Sequence, residues 1–137
     1  MRVLLGCLLV FCGGAIGTGL RAALGLVGPG AGSGGAAAML LAINLCGAFA
    51  LGLLGSAPTS SPRHERLRLF LGTGLLGGFT SYSALILLAL PQGGEWPSGL
   101  VLGAATIPLS IVAASVGLRA GRGLRDGESR GRAGGSR

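Results

Sequence analysis

Few side chains in this 137-residue sequence are equipped for chemistry, and they collect in two places. Asn44 stands alone in an uncharged apolar stretch, and Gly77-Gly78-Phe79-Thr80-Ser81-Tyr82-Ser83 interrupts another. An amide in hydrocarbon is unfavourable unless bonded, so Asn44 must face protein or a polar path. Two adjacent glycines loosen a helix, and three hydroxyl residues with an aromatic follow at once. Backbone groups released at membrane depth then need protein, water or an ion as partners. Both features admit two readings, an ion pathway or helix packing, because glycine, serine and asparagine also join membrane helices. On the pathway reading the Asn44 NH2 group donates to a permeating anion. Thr106 and Ser110, four residues apart, would extend a donor-lined face on a further helix.

Other chemistries are excluded by what the apolar stretches lack. The four acids, Glu65, Glu95, Asp126 and Glu128, all fall outside them, which leaves no general acid or base at membrane depth. Proton-coupled export of small cations, which needs a carboxylate in the bilayer, is excluded on the same ground. Cys7, Cys12 and Cys46 lie in apolar stretches without CxxC spacing and read as small packing residues. His64, in Pro-Arg-His-Glu-Arg, reads as a solvated loop residue.

The elements that must position these residues are membrane helices. Half of the residues are hydrophobic, 29 are glycine and 11% are charged, a balance that no ordinary soluble domain shows. The fold class is an all-α integral membrane protein with four spans, near residues 3–24, 36–55, 69–90 and 98–118. Each holds about 20 residues, enough for ~30 Å of hydrocarbon. Glycine-rich sequence from Gly25 to Gly35, prolines at Pro58 and Pro62, and a breaker cluster from Pro91 to Pro97 separate them. The third span is broken near Gly77 to Thr80. Arg2 ahead of the first span invites a signal-peptide reading. The apolar run outlasts ordinary signal length and offers no small-x-small cleavage site, so it reads as a retained helix. Residues 1–118 form one membrane domain, and the Gly/Arg-rich tail, 119–137, is expected to be disordered.

Charge sets the orientation. Arg2, Arg63, Arg66, Arg68 and the six arginines from Arg119 to Arg137 fall on one side of a four-span arrangement, with Arg21 alone near the other. The positive-inside rule then places both termini in the cytoplasm of a multi-pass protein of the cell inner (plasma) membrane. A net charge of +7 suggests a nucleic-acid partner, but the tail arginines lack interleaved aromatics. Anionic lipid fits them better.

Three patterns carry a family resemblance. Gly13-Gly14-Ala15-Ile16-Gly17-Thr18-Gly19-Leu20-Arg21 resembles GGxxGxxxR, Asn44 to Gly52 resembles NxxGxFxxG, and Gly74 to Ser83 is similar to GxxGGxTTFS. They occur in order in three of the four spans, and together they resemble the CrcB/Fluc family of fluoride channels. The resemblance implies passive, fluoride-specific export from the cytoplasm, which lowers fluoride toxicity, through an antiparallel dimer with two pores. It also implies a structural, untransported sodium ion at the dimer centre, held by the backbone carbonyls of Gly77 and Thr80. Asn44, Ser81 and Ser83 match the family's pore positions. Tyr82 and Leu85 stand where the family places two phenylalanines; Tyr82 keeps an electropositive ring edge and Leu85 has none. Arg21 would lie at the pore mouth and attract anions, or else snorkel at the interface. Fluoride holds its hydration shell strongly, so closely spaced donors without a fixed charge suit it. The partner is a homologous subunit, the same or different. The alternative is that this chain is a non-conducting or partly degenerate subunit of a heterodimeric fluoride channel.

Overall fold

In apolar surroundings backbone polar groups must bond within their own segment, and the long uncharged runs of this chain accordingly form helices. The structure, a computed structural model, describes residues 2–28, 34–57, 61–81, 83 and 96–134. Its elements are α1 (Arg2–Val27), α2 (Gly34–Gly55), α3 (Pro62–Arg68), a π-helical segment (Leu69–Leu76), α4 (Gly77–Phe79) and α5 (Trp96–Gly134). All regular structure among the described residues is helical. Three stretches, Val3–Val27, Gly35–Gly55 and Gly103–Gly127, are long and apolar enough to cross a membrane. Tyr82, Leu85 and the rest of the expected third span beyond Ser83 lie outside the described residues.

The third helical stretch begins earlier than its apolar run. Ser61 caps it by accepting from the His64 backbone N–H at 3.4 Å, and Pro62 takes the first helical position, where a missing N–H does no harm. His64, expected in a loop, therefore stands in the first turn of α3. It remains exposed, its Nδ1 2.8 Å from Ser61 Oγ. From Leu69 the turns widen, and the Gly77 N–H reaches back five residues to the Gly72 carbonyl. Three glycines in these nine residues leave room for such turns.

Packing is backbone on backbone. α1 runs parallel to the π segment and α4, and a Cβ added to Gly13 would lie 2.8 Å from Leu75 N. One at Gly17 would collide with the Leu75 carbonyl and one at Gly78 with the Gly14 carbonyl, so Gly13/Gly17 and Gly74/Gly78 interlock as paired small-xxx-small motifs. α2 runs parallel to α5 in the same way, Gly52 against Ala114 and Gly117 against Phe49. Between these two pairs, Gly72 meets Leu51 and Leu54, and Gly47 meets Thr80. Ile43 is the buried large hydrophobic residue among those described, while the buried polar ones are Asn44 and Thr106. Side chains such as Phe11, Ile16, Leu20 and Ile111 face outward. Only 11% of the α1 span is buried within the chain, which suits lipid as the surrounding solvent.

Beyond Leu118, where the sequence reads as disordered, α5 stays helical to Gly134. Docking explains its first extra turns. Gly121 packs against Ser56 and Leu53, and Arg125 Nη1 donates to the Ser56 carbonyl. Glycine and arginine content signals disorder only where nothing holds the segment. Because Gly6 faces Leu69 and Gly55 faces Leu118, one end of the bundle gathers the start of α1, the end of α2, α3 and the outer part of α5. Gly28 and Met39 meet at the opposite end.

Candidate ion site at the end of a helix

The helical path of the third stretch ends at mid-bundle. Thr80 has φ −78° and ψ 147°, an extended conformation, directly after α4. Both Thr80 donors turn back to one acceptor: its backbone N–H lies 3.0 Å from the Leu76 carbonyl and its Oγ1 3.1 Å from the same oxygen. The methyl group of Thr80 points at Gly47, where a Cβ would lie 2.5 Å from it.

Asn44 reaches across from α2 and replaces the missing helical bonds. Its Oδ1 accepts from the Ser81 backbone N–H at 2.9 Å, and its Nδ2 donates to the Ser81 carbonyl at 3.3 Å. The side-chain amide thus pairs with one residue's backbone in both directions, as a neighbouring peptide would. In an uninterrupted helix Ser81 N–H would bond to the Gly77 carbonyl four residues back. Here Asn44 Oδ1 accepts it instead. The adjoining Gly78 carbonyl accepts from Thr18 Oγ1 at 3.3 Å, so α1 supports the interruption from its other side.

Hydroxyl groups gather at the same level. Ser81 Oγ and Ser83 Oγ lie 3.1 Å apart, the first half-buried and the second exposed. The parallel register that sets Gly52 against Ala114 carries Asn44 to the level of Thr106, which is fully buried on α5; Ser110, half-buried, follows one turn on. Arg21 occupies the α1 position one turn beyond Gly17, on the face that meets Phe79. It is half-buried, and its Nε has no hydrogen-bond partner among the described residues.

Asn44, Ala48 and Gly52 stand at i, i+4 and i+8 on α2, but eight residues advance a helix by roughly 80° past two full turns, so the three do not share one close-packed face. Gly52 consequently packs on α5, and Gly47 is the small residue that lets the interruption approach α2 beside Asn44. Thr18 and Gly47 are contributors that the sequence reading does not single out. Both lie inside the glycine patterns, where spacing marks a close approach without showing what approaches.

No group of three or more His, Cys, Asp or Glu side chains that could hold a metal ion converges among the described residues. Gly77 has space around it, a Cβ there meeting Gly72 O at 3.9 Å among the described residues.

The family model described as "CrcB-like protein, Camphor Resistance (CrcB)" matches residues 8–118. The chain belongs to the CrcB family. Among its relatives, a protein of Leifsonia xyli subsp. xyli named fluoride-specific ion channel FluC 2 is 41% identical over 134 residues, covering 89% of this chain and 88% of its own. A Thermus thermophilus protein named fluoride-specific ion channel FluC is 38% identical over 119 residues, covering 85% and 95%. One from Cutibacterium acnes, named fluoride-specific ion channel FluC 1, is 41% identical over 99 residues, covering 67% and 68%. The CrcB match spans α1, α2, the interrupted stretch and α5 as far as Leu118, and so includes Arg21, Asn44 and Gly77 to Ser83.

Proposed function

We propose that this chain is a fluoride-specific channel subunit, lowering cytoplasmic fluoride by passive conduction and not by catalysis. The observation that carries the reading is the mid-bundle interruption in a CrcB-family chain, where Asn44 clasps Ser81 beside paired serine hydroxyls. Fluoride gives up its water only to closely spaced donors, and it must also be able to leave. Asn44 Nδ2 carries two hydrogens and spends one on the Ser81 carbonyl; the other, with the hydroxyls of Ser81 and Ser83, forms an uncharged donor set. Tyr82 adds a ring edge, Arg21 concentrates anions at the mouth, and Thr106 with Ser110 extends the polar face.

The full assembly in this reading has four spans, the third broken at Gly77 to Thr80, in an antiparallel dimer with two pores. The alternating directions of α1, α2, the third stretch and α5 support a four-crossing path. A structural sodium ion, when bound by the Gly77 and Thr80 carbonyls, would supply positive charge that holds the two interruptions together at the dimer centre. The arginine bias favours a cytoplasmic location for both termini and a homologous, oppositely oriented partner. The numbering of relatives as FluC 1 and FluC 2 suits a pair of distinct subunits. Liposome efflux tests the core of the reading: alone or with its partner, the protein should release fluoride and hold back chloride, and equal efflux of the two halides would remove the assignment.

A further inference from the structure

The end of the bundle that gathers α3 and the outer turns of α5 carries charge that an ion path at mid-bundle does not use. Arg63, Arg66 and Arg68 on α3 and Arg119, Arg122 and Arg125 on α5 are all exposed there, with Glu65 and Asp126 as the nearby acids. Membrane helices run directly into this collar. α2 ends at Gly55, and the apolar stretch Gly103–Gly127 of α5 already contains Arg119, Arg122 and Arg125. The collar therefore sits at headgroup depth. α3 has no buried residue, and Leu67 stands half-exposed between Arg66 and Arg68, as suits a surface where acyl chains and phosphates adjoin. Arg63/Arg66 and Arg119/Arg122 are each three apart, so each pair shares a helix face. The Arg125 bond to the Ser56 carbonyl and the close seat of Gly121 on Ser56 fasten α5 to the end of α2 and hold the two clusters at one end.

We propose that this collar is a binding surface for anionic phospholipid, with headgroup phosphate oxygens accepting from Arg63, Arg66, Arg119 and Arg122. Guanidinium groups match phosphate with paired donors, and several in one plane favour a lipid of net negative charge over a zwitterionic one. Nucleic acid fits less well, because neither α3 nor residues 119–127 carry a Phe, Tyr or Trp on which a base would stack.

The test is native mass spectrometry of the detergent-purified full chain offered equal phosphatidylglycerol and phosphatidylcholine. Wild type should retain at least about fivefold more phosphatidylglycerol, the effect on the order of a single arginine near an anionic surface. High salt should shrink the excess. The variant R63Q/R66Q/R119Q/R122Q should lose it, while the corresponding lysine variant, which keeps the charge, should retain most of it. Equal retention of the two lipids by wild type, or an unchanged excess in the glutamine variant, overturns the proposal. If the glutamine variant fails to assemble, the wild-type ratio and its salt dependence decide the matter. Displacement of phosphatidylglycerol by a short RNA at equal charge would reassign the collar to nucleic acid.

Discussion

At the scale of single residues, Asn44 is both a clasp and a donor, and the two roles separate by mutation. The side chain is 3% exposed, and its amide oxygen and nitrogen both bond to the Ser81 backbone. Asn44→Ala removes both bonds and strands a backbone N–H at membrane depth, a loss of about 1–3 kcal/mol. Fluoride efflux should fall at least about tenfold. Ser81→Ala, which leaves both clasp bonds in place, should lower flux less and leave assembly intact. Equal, small effects of the two substitutions would assign Asn44 to packing alone. Thr80 acts through its backbone in the sodium proposal, and its hydroxyl bonds back to the Leu76 carbonyl at 3.1 Å. Thr80→Ser keeps that bond, so its effect should be mild. Replacing sodium by a larger monovalent cation should weaken dimer stability or flux, because carbonyls fixed at one interruption suit one ionic radius. Indifference to the cation, measured by both readouts, would dismiss the site.

At the scale of elements, the contacts that place this site are glycine contacts, and they predict a graded mutational series. Gly17→Ala and Gly78→Ala drive a methyl group into the carbonyls of Leu75 and Gly14, which only a backbone shift can relieve. Each should destabilise the folded subunit by about 1–3 kcal/mol. Gly19→Ala meets nothing within 4 Å and should be neutral or gain up to about 1 kcal/mol from helix propensity. Thermal unfolding in detergent distinguishes the three, and equal midpoints would break the argument. The same elements show what the sequence makes legible. The extended backbone at Thr80 after α4 can be read locally, because Gly77 and Gly78 precede three hydroxyl residues inside an apolar run. The membrane helices α1, α2 and α5 are equally plain from the length of their apolar runs. The clasp is not, since Asn44 and Ser81 lie 37 residues apart and nothing near either names the other. Nor is the helical course of residues 119–134, which depends in part on Ser56, 65 residues upstream of Gly121 and 69 upstream of Arg125. Local composition misleads wherever a tertiary contact supplies what composition lacks.

At the scale of the whole molecule, charge asymmetry bears on the proposed orientation and partnership. In the proposed four-span arrangement ten arginines fall on one side and one on the other. A dual-topology homodimer needs nearly balanced basic residues, so that half of the copies insert each way; this bias opposes that outcome. Discounting the six arginines after Leu118, which lie partly far from the last span, still leaves four against one. The end of the bundle that collects α3 and the outer turns of α5 makes the asymmetry spatial as well as sequential, because Arg125 is bonded to the α2 terminus and not trailing free. A single orientation would, in turn, require the proposed antiparallel assembly to recruit an oppositely biased homologue, which would also offer the ring edge that Leu85 lacks. Gly127 is exposed, with nothing within 4 Å of a Cβ placed there, so Gly127→Cys adds a thiol without disturbing the helix. In a background where Cys7, Cys12 and Cys46 are replaced, that thiol should react with a membrane-impermeant maleimide only after the cytoplasmic face is opened. Comparable labelling from both faces would establish dual topology, discard the distinct partner, and leave an antiparallel homodimer in which each copy must furnish its own pore.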